Sequence, residues 1–156
     1  MTHDWDHLPV PARPIAAATT AAVSAAQAHD GAALDGAAAD LAALDPGQTG
    51  LILGTAVRLA LEQNHPDGLA GETVRDILEQ CVRNAARWQP DVDAHVVLLL
   101  LAGALGVGEE DGEPAPKPEV LARHAALLLA HLLGARPAAP VLGAALAEIE
   151  RTQFDA

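Results

Sequence analysis

The chain has 156 residues, enough for one domain that builds its own core without disulfides or a metal. Nine basic residues against 21 acidic ones leave a formal charge of −12. Polyanions are therefore repelled, and neither nucleic acid nor an anionic membrane surface is expected as a partner.

Alanine (36) and leucine (23) dominate the composition, whereas there is no Tyr and only one Phe. Helix formers in that excess, with strand formers scarce, predict an all-α fold. One Cys, one Lys and one Ser remove most of the nucleophiles used in covalent catalysis. A lone Cys has no partner to bridge, which predicts a cytoplasmic protein. Eight Arg against one Lys, with abundant Ala and Gly, matches a GC-rich bacterial genome.

Residues 1–14 contain Pro9, Pro11 and Pro14 and are expected to form an extended arm. No basic stretch precedes the Ala-rich run, so a signal peptide is not expected. Within the arm, His3-Asp4-Trp5-Asp6-His7 gathers four polar groups that would hold a divalent ion only weakly. A first helix is expected over Ile15 to His29 and a second over Ala32 to Leu44, the latter with Leu34, Ala37, Leu41 and Leu44 on one side.

Asp45-Pro46-Gly47 marks a turn. The third helix, Gln48 to Asn64, is apolar around most of its girth, with Thr55, Arg58 and Glu62 as its polar strip. Gly47, Gly50 and Gly54 resemble a phosphate loop only superficially, since neither the Lys nor the preceding strand is there. Gly50 and Gly54, four residues apart, predict close approach of another helix. The fourth helix, Gly71 to Trp88, is the most amphipathic, with Val74, Ile77, Leu78, Cys81, Ala85 and Trp88 on its apolar face.

Asp91 or Asp93 can cap a fifth helix that ends near Leu105 and carries four consecutive leucines, Leu98 to Leu101. It is expected at the centre of the fold, without a solvent face. The apolar run Val96 to Val107 is too short to cross a bilayer, which needs about 20 residues. An acidic, Pro-rich loop at 106–118 leads to a sixth helix, Pro118 to Leu133, closed by Gly134. A seventh, from Ala138 to Thr152, points Leu142, Leu146 and Ile149 inward. Residues 15–156 thus read as a single-domain all-α bundle of six or seven helices, with a buried central helix at about 91–105.

Chemistry can be carried only by His, Arg and carboxylates. His124 and His131 lie seven residues apart on helix six, at the edge of its apolar face. Their axial separation is about 10 Å, whereas two ligands of one zinc sit about 4 Å apart. They cannot share a metal. His95 stands one turn after Asp91, where a carboxylate–imidazole pair or a simple helix cap are the alternatives. Arg58, on an otherwise apolar helix, is placed to hold an anionic head group.

Three functional classes follow. A non-catalytic interaction or structural module, most simply a homodimer or the binder of a protein partner, is favoured because thin Ala-rich helices gain by packing on a second copy. A ligand-binding helical domain, for an apolar or anionic small molecule, would draw on Arg58, His95, His124 and His131. It is favoured if Arg58 converges on one cavity with His95 or His131. An enzyme would have to use His and carboxylates, with or without a metal. No motif in the chain asks for a cofactor or a metal.

Overall fold

The computed structural model describes residues 12–107 and 115–154, and these form seven α-helices with no strand among them. They are α1 (Ala12–Gln27), α2 (Gly31–Ala42), α3 (Pro46–Asn64), α4 (Gly71–Ala86), α5 (Ala94–Ala104), α6 (Pro118–Leu133) and α7 (Ala139–Phe154). The His3–His7 cluster lies outside the described residues, as does most of the expected arm. Ala12, Arg13 and Pro14, assigned to that arm from sequence, form the first turn of α1 instead. Pro is tolerated there because an N–H in the first helical turn has no intrahelical acceptor.

Local chemistry accounts for most helix ends. Asp30, Asp45 and Asp93 cap α2, α3 and α5, their carboxylates accepting the N–H groups of Ala33 (3.1 Å), Gln48 (2.8 Å) and His95 (2.9 Å). Pro46 occupies the start of α3, inside the turn expected at Asp45-Pro46-Gly47. After α1 the chain closes a Schellman motif: Asp30 N–H donates to Ala25 C=O and His29 N–H to Ala26 C=O. The residue carrying the left-handed backbone there is His29, at φ 57°, rather than a glycine. Its ring stacks on Trp88, with centroids 5.0 Å apart and planes inclined by 12°.

The centre of the bundle is α6, not α5. Ala122, His124, Ala125, Ala126, Leu127, Leu128, Leu129, Leu132 and Leu133 of α6 are all buried, and α1 to α5 all pack against it. In α5 only Val96, Val97, Leu101 and Ala104 are buried, while Leu98 is 44% exposed. The expectation of a central helix at 91–105 without a solvent face is thereby corrected. The physical reason is shape. Ala122, Ala125 and Ala126 let neighbours approach α6 closely on several sides along its 16 residues, whereas α5 has only 11 and turns Leu98 to solvent.

The Ala-rich α1 and α2 pack on each other and on α6. Ala16, Ala22 and Ala38 are fully buried within this one chain. Their thin faces do not need a second copy to cover them. Helix α7 packs on α3, with Leu142 and Leu146 buried and Ile149 against the core as expected.

Polar side chains fasten the helices to one another. Arg58 of α3 pairs with Glu62 at 2.9 Å and with Glu148 of α7. Arg136 donates to the Leu132 and Leu133 carbonyls at the end of α6 and to Asn64 Oδ1, at 2.8, 3.0 and 2.8 Å. Asn64 itself donates to the Leu132 carbonyl at 2.8 Å. Gln27 Nε2 reaches the carbonyls of Gly134 (3.0 Å) and Arg136 (2.7 Å). This network satisfies the α6 carbonyls that a helix end leaves without intrahelical partners.

Candidate functional site

Four helix ends, the C-terminal ends of α2 and α5 and the N-terminal ends of α3 and α6, surround a cavity of about 310 Å³. Leu41 and Leu44 line it from the α2 end, and Thr49, Gly50, Leu53 and Gly54 from α3. Leu99, Leu100, Gly103 and Ala104 contribute from α5, and Leu121, Ala122 and Ala125 from α6. Pro46 and Pro118, the first residues of α3 and α6, also reach its wall. Among the described residues no Arg, Lys, His, Asp or Glu does.

Three glycines border this space, and a Cβ built on Gly50, Gly54 or Gly103 would meet nothing within 4 Å. The close helix approach expected at Gly50 and Gly54 is therefore not what these residues serve.

Thr49 is the polar group in this wall. It is 8% exposed, and its hydroxyl has no hydrogen-bond partner. Two other threonines in the chain satisfy theirs by donating to the carbonyl one turn back, Thr20 to Ala16 (2.8 Å) and Thr152 to Glu148 (3.0 Å). At Thr49 the corresponding Asp45 carbonyl takes the backbone N–H at 2.9 Å, and the hydroxyl does not join it.

The residues singled out from sequence are not brought together. Arg58 lines no described cavity and is engaged by Glu62 and Glu148, so the anionic head group expected there meets an arginine already neutralised by two carboxylates. His95 is exposed at the start of α5. Its neighbour Asp93, rather than Asp91, supplies the cap there. His124 is not at a boundary: it is 1% exposed. Its Nε2 accepts the Asp93 N–H at 2.9 Å, which leaves the ring proton on Nδ1 to be donated to the Val120 carbonyl at 2.8 Å. Burial holds its pKa below the ordinary imidazole value. Both nitrogens are committed to the fold, so His124 has no lone pair left for a ligand.

His131 is half-buried and is also held below its ordinary pKa by burial. It lines two polar clefts. One, of about 510 Å³, includes His29, Asn84, Arg87 and Trp88; the other, of about 320 Å³, includes Asn64, His65, Asp76 and Gln80. Neither contains Arg58 or His95. Cys81 borders the larger cleft, and burial pushes its thiol up to about 12, so it carries no thiolate to speak of at neutral pH. Among the described residues no group of three or more His, Cys, Asp or Glu is arranged to hold a metal ion. Nor is any described helix long and apolar enough to cross a membrane.

Sequence reasoning missed Thr49 and the cavity. The Gly50–Gly54 spacing was the one available signal, and it is ambiguous between close packing and a void. No protein-family model, curated protein or solved structure matches this chain. The functional reading rests on its own residues.

Proposed function

We propose that this protein is a non-catalytic helical module that binds a small apolar molecule in the cavity between α2, α3, α5 and α6. The observation that carries this reading is the glycine-bordered, leucine-lined space itself. Ligand pockets begin at about 300 Å³, are mostly apolar and commonly lie between the helices of bundles. Binding rather than catalysis is favoured because, among the described residues, no acid or base lines the wall. A single buried thiol is consistent with a reducing, cytoplasmic setting.

The test is titration with naphthalene, followed by amide and methyl shifts in a two-dimensional NMR spectrum. Saturable shifts centred on Leu53, Leu99 and Ala122 are expected. Gly54→Leu, which keeps the helix and fills the space, should abolish them while melting at or above the wild-type temperature. Absence of saturable binding to the wild type, or an unchanged affinity in Gly54→Leu, would overturn the reading.

A second reading, self-association through an apolar surface, is favoured by Leu51 and Leu98, which are 46% and 44% exposed. They flank the cavity residues Gly50 and Leu99 in sequence. Sedimentation equilibrium of the wild type and of Leu98→Glu tests it: a dimer that weakens in the variant supports the reading, and a wild-type monomer at 100 µM excludes it.

A further inference from the structure

We infer that the cavity's occupant is an uncharged, two-ring-sized molecule carrying one hydrogen-bond acceptor, such as a ketone, and that the Thr49 hydroxyl donates to it. The inference rests on the ligand-binding reading above and adds the ligand's class and its anchoring residue.

Size comes from the volume. About 310 Å³ is roughly twice the ~150 Å³ apolar cavity known to take up benzene. Charge comes from the wall. Among the described residues no ionisable side chain lines the cavity, and an unpaired carboxylate or ammonium moved into apolar surroundings costs far more than any one hydroxyl returns. The net charge of −12 further disfavours an anion.

The hydrogen bond comes from Thr49. A buried hydroxyl without a partner is costly, and two other threonines of this chain avoid that cost by back-bonding. The other buried polar side chains in the same condition are Thr19 and Gln89, and neither borders a described cavity. Thr49 alone among them is a wall residue of a described cavity. The hydroxyl's hydrogen is left without an acceptor, and an acceptor atom on the ligand completes it.

The experiment compares 1-tetralone, a ketone, with naphthalene, a hydrocarbon of similar size, each titrated by calorimetry into the wild type, Thr49→Val and Thr49→Ser. Val keeps the shape of Thr and loses only the hydroxyl. We expect Thr49→Val to weaken tetralone about fivefold to tenfold and to leave naphthalene within about twofold, while Thr49→Ser retains the ketone preference. Tetralone affinity equal in wild type and Thr49→Val, with naphthalene still bound, overturns the Thr49 assignment and leaves the binding reading standing. Failure of both probes to bind the wild type overturns both. A third probe, 1-naphthoate, should bind at least tenfold more weakly than tetralone, and equal or tighter binding overturns the uncharged class. Thermal melts of both variants establish that they are folded, and Thr49→Ser preserves the comparison if Val is not tolerated.

Discussion

The imidazole of His124 receives the backbone N–H of Asp93 on Nε2 at 2.9 Å, joining the middle of α6 to the cap of α5. Only the neutral ring can do this, because protonation would place a second hydrogen where the amide already points.

Stability should therefore fall with acid. Both His124 and His131 are held below the ordinary imidazole value by burial, so the unfolded chain takes up protons first as pH drops. Their contribution is fully present above pH ~6.5 and is lost progressively below it. Urea melts at pH 7.5 and 5.5 should show that loss. His124→Gln should reduce it, and His124→Gln combined with His131→Gln should reduce it further. In His124→Phe the Asp93 N–H is left without its acceptor, which should cost about 1–3 kcal/mol at pH 7.5.

The core ranking of the helices gives a second prediction. Leu128 of α6 is fully buried, and Leu128→Ala should destabilise by about 2–5 kcal/mol. Leu98 of α5 is 44% exposed, and Leu98→Asp should change stability by no more than about 1 kcal/mol. Chemical denaturation of the two variants decides the matter, and the reverse order would return the centre of the bundle to α5.

Two glycines should respond in opposite directions. Gly54 lies within α3 with open space at its Cβ, so Gly54→Ala should stabilise by about 0.5–1 kcal/mol and raise Tm by about 1–4 °C. Gly134 ends α6 at φ 63°, a conformation that costs an L-residue about 1–3 kcal/mol. Gly134→Ala should lower Tm, as differential scanning calorimetry would register.

Arg58 should prove structural. Its pairs with Glu62 and Glu148 are partly exposed, so Arg58→Met should cost at most about 1 kcal/mol. Naphthalene and tetralone affinities should be unchanged in that variant. A tenfold loss of either would return Arg58 to the binding site.

What the chain determines by itself is local. Asp45-Pro46-Gly47 starts α3 wherever that helix is placed, because a carboxylate and a proline act on the nearest turn alone. The facing of Leu142, Leu146 and Ile149 in α7, or of Ile77, Cys81 and Ala85 in α4, follows from the helical period. The tertiary structure decides which of two apolar helices is surrounded. Hydropathy ranks the leucines of α5 above the alanines of α6, yet steric access favours α6. It also decides what Gly50 and Gly54 mean, since a missing Cβ becomes a close contact or a void only according to what stands opposite. Thr49 is the sharpest case. A threonine inside a helix has a carbonyl one turn back, and whether it lies in a cavity wall with its hydroxyl unpaired, as Thr49 does, depends on residues of α2, α5 and α6 as much as 76 positions away. Such relations are set by packing, which no local pattern in the sequence encodes.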